Sequence, residues 1–386
     1  MRRNDVRVLG AVGLAVAMLA TAGCQDSGTA GGGDTTAAAC GGKIAIFGAF
    51  TGADAGQVLS SLNGAKLAVK KFNTANPDCK VTMQEFDTQG APDQATPIAN
   101  QIAQDQSFVA VVGGHFSGES KATMPIYEAA GMVMVSPEAT AAELTTGGNK
   151  AFHRVVGNDN SQGGAAVEYL KNVAKSKNVF LVDDGSTYGA GIIATVKQGL
   201  GSLAAGADKV QKDQTNFDAT ISKIKGAKAD TIAYGGYTNE AAPLLKQARA
   251  SGVKAKFIGF DGLYDPNFPK GAGEAAEGAS VLCPCGPVAK AGGTFGKDYE
   301  AEYREPAGAY GAEGFDATTV LLDGFKAGKK TRADLLAWVD AYDKQGVSKN
   351  IKFDQNGDVD KSKVVVWSYK ITGGKITPEQ EIKLHS

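Results

Sequence analysis

Short apolar runs alternate with amphipathic segments along most of the chain. The runs predict seven buried strands, at 43–50, 80–87, 108–113, 131–136, 178–183, 230–234 and 256–260. Between the first two, apolar residues recur at spacings of three and four, which predicts a helix with one buried face: Val58, Leu62, Ala65, Val69 and Phe72. Alternating helices and wholly apolar strands are typical of an α/β protein whose parallel sheets are covered on both faces.

The length and the pattern together predict two lobes. Roughly 345 ordered residues exceed one comfortable hydrophobic core. The alternation is interrupted at 152–160, which we interpret as a segment that crosses between lobes. The stretches "VAVVGGHFSGE" and "TIAYGGYTNE" resemble each other and fit two similarly built lobes. We expect the first lobe to hold 41–156 and 285–348, and the second to hold 157–284 and 349–386.

The N-terminus has the order of a secretory signal over residues 1–23. Arginines precede an apolar run from Val8 to Ala20, which is too short to span a bilayer, and small residues follow it. "LATAGC" resembles a bacterial lipobox, which implies a lipid on Cys24. The alternative is an ordinary signal peptide that is cleaved nearby, with no lipid on Cys24. We expect residues 24–40 to form a flexible tether, because they carry no large apolar side chain. The protein would then be extracytoplasmic and anchored to the outer face of the cell membrane.

Four cysteines remain once Cys24 is assigned to lipid, and secretion permits disulfides. Cys40 and Cys79 each precede a predicted strand, and neighbouring parallel strands begin at the same sheet edge, so we expect this pair to bond. Cys283 and Cys285 are close enough in sequence to form a second disulfide. A metal site is disfavoured because only two thiols are close together and the histidines are far away in sequence: His115, His153 and His385. We expect no metal and no cofactor.

Composition and motifs argue against several other functions. The net charge of −1 does not suggest a nucleic-acid partner. "GHFSGE" is not the nucleophile elbow of a hydrolase, and "GAFTGADAG" lacks the glycine spacing of a dinucleotide site. The acidic stretch 354–360 has its glycine at the wrong position for a calcium loop, and we interpret it as a turn between strands at 350–354 and 363–370.

Polar groups follow the predicted strands, where ligands bind in open parallel sheets. Ser117 and Thr140 place hydroxyls at predicted helix starts, where free N–H groups favour an anion. Other strands are followed by Tyr188, Tyr237 and Asp261. An α-amino acid needs such a set: donors for its carboxylate, an acid for its ammonium and an apolar wall. Each of these residues also has an ordinary structural interpretation, as a helix cap, a turn residue or a packing residue.

The order of several segments resembles the branched-chain amino-acid-binding proteins of ABC importers. These segments are "VVGGHFSGES", "IYEAAGMVMVSPEATAAELT", "VDDGSTYGAG", "YGGYTNEAAPLLKQARASG", "FIGFDGL" and "AAEGASV". The resemblance covers residues 41–370. It implies the type I periplasmic-binding-protein fold, in which two Rossmann-like α/β lobes are joined by three crossing segments and close on the ligand. It also implies a monomer that performs no chemistry and delivers its ligand to a membrane permease.

The resemblance also implies the ligand contacts. Ser117 and Thr140 would bind the ligand carboxylate and ammonium together with backbone groups of Glu138 and Ala139. Asp261 stands where the family has an acid for the ammonium. The predicted site is completed by aromatic and amide side chains: Phe116, Tyr188, Tyr237 and Gln57.

This chain departs from the family at several of these positions. Gln57 aligns with a ligand-covering tyrosine, Glu138 replaces a small residue, and Gly118 and Glu119 stand where further serines are common. We expect a solute-binding lipoprotein for an amino acid, with a branched-chain amino acid favoured. The departures keep open an amide, a urea-like compound or an aromatic compound as the ligand. A role as ligand sensor for a membrane receptor is a further alternative.

Overall fold

The computed structural model describes residues 40–383. The predicted signal peptide, the lipidation site at Cys24 and nearly all of the predicted tether lie outside the described residues. Within them, the structure does not contain a helix both long and apolar enough to cross a membrane.

A five-stranded parallel sheet forms the centre of the first lobe. Its order is β2-β1-β3-β4-β5, with β1 Gly42–Gly48, β2 Val81–Asp87, β3 Phe108–Val112, β4 Val133–Ser136 and β5 Phe152–Arg154. Six helices belong to this lobe: α1 Ala55–Ala75, α2 Pro92–Gln104, α3 Ser117–Ala129, α9 Phe295–Tyr303, α10 Gly311–Lys326 and α11 Arg332–Asp340. The three late helices return to this lobe because apolar side chains of α10 and α11 complete its core.

A seven-stranded sheet forms the centre of the second lobe. Its order is β14-β13-β10-β9-β8-β6-β7, with β6 Val179–Asp183, β7 Ala204–Lys209, β8 Thr231–Gly235, β9 Lys256–Phe260, β10 Ser280–Cys283, β13 Val366–Thr372 and β14 Lys375–Ile382. Its helices are α4 Asp159–Glu168, α5 Thr187–Leu200, α6 Asp218–Gly226, α7 Thr238–Ala250 and α8 Asn267–Ala272. Strands β13 and β14 run antiparallel, because they form a hairpin added to the edge strand β10.

Three segments carry the chain between the lobes: β5 to α4, β10 to α9, and the stretch before β13. The first and third lie side by side, where the Arg154 N–H donates to the carbonyl oxygen of Gly357 at 2.9 Å. A small hairpin precedes the third, with β11 Asp343–Gln345 and β12 Asn350–Lys352. Ile351 and Phe353 pack in the first-lobe core, so residues 349–353 lie with that lobe and not with the second, where we expected them.

The acidic stretch 354–360 forms a local turn inside this third crossing. The N–H of Gly357 donates to the carbonyl oxygen of Asp354, and Asp358 pairs with Arg154. As expected, the stretch is a turn between two strands, β12 and β13. These strands do not pair with each other, because β12 pairs with β11 whereas β13 belongs to the second-lobe sheet. Two disulfides are present, Cys40–Cys79 and Cys283–Cys285, and these are the two pairs expected from the sequence.

Helices α1 and α10 pack with their backbones in close contact. A Cβ atom at Gly314 would collide with the carbonyl oxygen of Ser61, and one at Gly64 would collide with that of Gly311. We therefore expect Gly314→Ala to lower the free energy of unfolding by about 1–3 kcal/mol, because the extra methyl forces the helices apart. Urea titration measures this loss.

Gly164→Ala is the matched control for this prediction. Gly164 lies in α4, is exposed, and has nothing within 4 Å of the added methyl. There the substitution is expected to leave stability unchanged or to raise it by about 0.5–1 kcal/mol, because alanine restricts the unfolded chain. Equal effects at the two positions would contradict close packing at Gly314.

Candidate functional site

A small cavity lies between the carboxyl ends of the strands of the two sheets. Ten residues line it: Gln57, His115, Phe116, Ser117, Glu138, Ala139, Thr140, Tyr188, Tyr237 and Asp261. The structure thus brings together all nine residues singled out from the sequence and adds His115. The first lobe supplies seven of the ten residues, and the second supplies Tyr188, Tyr237 and Asp261.

The first-lobe wall is built from α3 and the loop that follows β4. Ser117 is the first residue of α3, so free backbone N–H groups of this helix lie beside the cavity. The Ser136 hydroxyl accepts from the backbone N–H of Ala139 at 3.0 Å, and the Ser117 hydroxyl accepts from that of Ala141 at 3.1 Å. These two serines fix the backbone of the loop that carries Thr140.

Arg154 holds the same loop from behind. Its side chain is fully buried and donates to the carbonyl oxygens of Ala139 and Ala141, at 3.0 and 2.8 Å. Its Nε donates to Asp358 at 2.5 Å, and its other terminal nitrogen donates to the Thr145 hydroxyl. Arg154 therefore connects the binding loop to the third crossing segment. This role was not identified from the sequence, although a single arginine between Phe152 and Val155 was a usable signal.

The second-lobe wall centres on the buried carboxylate of Asp261. Its Oδ1 accepts from the Tyr188 hydroxyl at 2.7 Å and from the Gln162 amide at 2.6 Å. Its Oδ2 accepts from the Tyr310 hydroxyl at 2.8 Å. A carboxylate has about four lone-pair positions, so three donors leave room for one more. Neither Gln162 nor Tyr310 was identified from the sequence, because 99 and 49 residues separate them from Asp261.

Two aromatic rings separate the cavity from a wider outer cleft. Phe116 precedes α3 and Tyr237 precedes α7, and their ring centroids are 4.5 Å apart. Both residues line the inner cavity and also the outer cleft of about 350 Å³. They occupy matching positions in the two segments whose similarity suggested repeated lobes. The pair joins the lobes across the cleft and closes the cavity from outside.

Glu119, which the sequence left open as a ligand contact, forms hydrogen bonds within the protein instead. One carboxylate oxygen accepts from the backbone N–H groups of His115 and Phe116, at 2.7 and 3.0 Å, and the other pairs with the Thr88 hydroxyl. Burial raises the pKa of Glu119 to about 7, although these hydrogen bonds lower it. Glu119 does not line the cavity, and its role is to shape the loop before α3.

Carboxyl groups dominate the electrostatics of the cavity. Burial raises the pKa of Asp261, and its three hydrogen-bond donors partly offset this. Burial and the charge of Asp261 raise the pKa of Asp159, which lies behind Thr140, to about 7. Burial, followed by the charge of Asp261, raises the pKa of Glu138 well above its usual range. A cation that enters the cavity would therefore be stabilised.

His115 and Ser117 do not form a nucleophile–base pair. The His115 Nδ1 lies 2.8 Å from the carbonyl oxygen of Phe47, which can only accept, so Nδ1 carries the proton. Burial lowers the pKa of His115 to about 4, which keeps the ring neutral. Its Nε2 has no hydrogen-bond partner among residues 40–383. The arrangement can enclose and bind a solute, and Ser117 is not activated for attack.

Two α/β lobes joined by three crossings, with an enclosed cavity lined from both lobes, define a two-lobed solute-binding protein. A family model described as "Periplasmic binding protein" matches residues 42–366. The chain belongs to this family, as the sequence resemblance indicated, and it is a binding protein and not an enzyme.

Curated relatives support this assignment. The chain is 31% identical to the leucine-specific-binding protein of Salmonella typhimurium, over 82% of this chain and 88% of the relative. It is 30% identical to the leucine-, isoleucine-, valine-, threonine- and alanine-binding protein of Pseudomonas aeruginosa, over 82% and 87%. The solved structure of a leucine-binding protein from Thermotoga maritima superposes with a TM-score of 0.81 at 25% identity, covering 89% of this chain and 99% of that one. Proteins of this family act outside the cytoplasm.

Proposed function

We propose that this chain captures an α-amino acid between its lobes and delivers it to an ABC permease while a lipid on Cys24 holds it at the outer face of the membrane. The observation that carries the proposal is the pairing of opposite poles across one small cavity. Ser117, at the start of α3, lies on one wall, and the carboxylate of Asp261 lies on the other. The names of the relatives favour a branched-chain amino acid.

Each pole has a defined task in this mechanism. The ligand carboxylate accepts from the Ser117 hydroxyl and from N–H groups at the start of α3, where the helix dipole favours negative charge. The ligand ammonium donates to Asp261 as its fourth partner. Tyr188 and Tyr237 cover the ligand from the second lobe, and backbone groups of Glu138 and Ala139 complete the contacts. Closing removes water, so each charged contact strengthens and an unpaired one becomes costly.

A thermal-shift screen of the twenty amino acids and small amides against the purified chain tests the proposal. A ligand that binds the folded state raises the melting temperature by mass action, so the true class should stand out. The proposal predicts that α-amino acids give the largest shifts. Shifts confined to amides, urea or aromatic acids would replace it with the alternative ligand class that Gln57 and Glu138 keep open.

Four carboxyl groups meet at the outer cleft and should make binding depend on pH. Asp54 precedes α1 in the first lobe, and it faces Asp184, Glu240 and Asp265 of the second. Burial, followed by the charges of Glu240 and Asp265, raises the pKa of Asp54 to about 7. Burial raises the pKa of Asp265 to about 6. The closed lobes thus bind protons that separated lobes would release.

Ligand affinity is therefore expected to be highest at low pH and to fall as pH rises from about 5 to 7, by at most about tenfold per pH unit for each proton released, and then to level off. Calorimetry with one α-amino acid at pH 5, 6, 7 and 8 measures this, because such a ligand remains zwitterionic throughout. Asp54→Asn is the control and should flatten the slope. A wild-type affinity that rises with pH, or an unchanged slope in Asp54→Asn, would contradict the role of Asp54.

A further inference from the structure

Glu138 has no function in the protein interior that explains its burial. It follows β4 at the carboxyl end of the sheet, its side chain lines the inner cavity, and the residue is 2% exposed. Neither carboxylate oxygen has a hydrogen-bond partner in the described part of the chain. Burying an unpaired carboxyl group costs several kcal/mol unless something pairs with it. The negative charges of other acidic groups, above all that of Asp261, add to the cost of ionising Glu138.

Two other cavity residues present unpartnered acceptors, and the Thr140 hydroxyl, which can donate or accept, is also unpartnered in the described residues. The Nε2 of His115 carries a lone pair, because the proton resides on Nδ1, and the amide oxygen of Gln57 is likewise unpaired within residues 40–383. Gln57 and His115 are each only 1% exposed. Neither Lys nor Arg appears among the residues that line this cavity. The cavity thus holds a surplus of hydrogen-bond acceptors, which the protein itself leaves unsatisfied.

The ammonium of an α-amino acid does not by itself satisfy this surplus. Asp261 provides the acceptor for that ammonium, and backbone groups beside it complete the contact. An aliphatic ligand side chain has no hydrogen-bond donor, so the acceptor atoms of Glu138, Gln57 and His115 would stay unpaired beside it. A ligand with a donor group on its side chain would instead pair with them, and a cationic donor would also offset the negative charge.

We propose that Glu138, with Gln57 and His115, forms a second recognition pole that selects α-amino acids whose side chains carry N–H or O–H donors. This inference rests on the proposed function and narrows it to hydroxyl-, amide- or amine-bearing amino acids. Glu138 is the specificity-determining residue of the pole, because it presents two unpartnered carboxyl oxygens and can ionise when a cationic donor pairs with it.

Matched ligand pairs of nearly equal shape test this pole by calorimetry on the purified full chain. The pairs are valine with threonine, leucine with asparagine, and norvaline with 2,4-diaminobutyrate. We expect the donor-bearing member of at least one pair to bind about tenfold to a hundredfold more tightly, because its aliphatic partner strands buried acceptors. Tighter binding of the aliphatic member in all three pairs would overturn the inference.

Glu138→Ala is the decisive variant, and its melting temperature without ligand separates binding from folding. Removing an unpaired buried carboxyl group should leave that temperature unchanged or raise it. The variant should lose the preference for donors and bind the aliphatic members at least as well as the polar ones. A preserved donor preference would overturn the role of Glu138 while leaving amino-acid binding intact. Failure of every pair member to bind wild type would instead overturn the proposed function, and the inference with it.

Discussion

Replacing Asp261 by alanine is expected to weaken binding of an α-amino acid by about 2–5 kcal/mol, or about 30-fold to several thousand-fold. The carboxylate is the acceptor for the ligand ammonium, and it is enclosed where water cannot substitute for it. Its loss also strands the buried hydroxyls of Tyr188 and Tyr310 and the amide of Gln162, which now donate to it. No other buried carboxylate is proposed to pair with the ligand ammonium.

Calorimetry with the best amino acid from the screen measures this loss. Asp218→Ala is the control, because Asp218 is an exposed residue at the start of α6 in the same lobe. Asp261→Asn keeps the shape of the side chain and removes only the charge, so it should fall between wild type and Asp261→Ala. An Asp261→Ala protein that melts cooperatively and binds the amino acid as wild type does would remove Asp261 from the site.

Replacing Arg154 by methionine is expected to have the largest effect on stability, lowering the free energy of unfolding by about 3–5 kcal/mol. The guanidinium is fully buried and satisfies Asp358, the Thr145 hydroxyl and two loop carbonyl oxygens. Without it, the charge of Asp358 loses its partner inside the protein. The loop that carries Thr140 also loses its anchor, so affinity for the amino acid should fall as well.

Urea titration and calorimetry on the same preparations separate these two effects. Lys121→Met is the control, because Lys121 forms an exposed ion pair with Glu143 whose loss should cost about 0–1 kcal/mol. Adding Asp358→Asn to Arg154→Met should recover part of the lost stability, since the stranded charge is removed. If Arg154→Met were no less stable than Lys121→Met, the buried anchor would have no energetic role.

The central strands could be predicted because burial on both faces leaves an unbroken apolar run. The five strands that were missed lack this signal for identifiable reasons. β11 consists of three exposed polar residues. β5 has three residues, two of them polar, β7 alternates small residues with exposed ones at a sheet edge, and β14 is a charged edge strand with a proline. The last, β10, has only four residues, "SVLC", three of them apolar, and a proline follows it. Edge strands and short strands depend on neighbours that a local pattern does not contain.

The cavity residues could be predicted because strand ends are a property of the local sequence and parallel sheets bring them to one edge. Gln162, Tyr310 and Arg154 follow a different logic. Gln162 and Tyr310 reach the site through Asp261, which is distant along the chain, and Arg154 is held by Asp358, 204 residues away. Chain crossings decide these pairings. The departures from the family pattern at Glu119 and Glu138 were visible from the sequence. Only the structure showed that Glu119 has hydrogen-bond partners within the protein, whereas Glu138 has none among the described residues.

The central claim is that the two walls of one cavity bind the two charges of a zwitterion and release it unaltered. Calorimetry with three forms of one ligand tests this most directly: the best amino acid, its deaminated acid and its methyl ester, with recovered ligand identified by mass spectrometry. The account predicts that the amino acid binds at least about a hundredfold more tightly than either analogue, and is recovered with its mass unchanged. Equal affinity for all three, or recovery of a converted product, would contradict it.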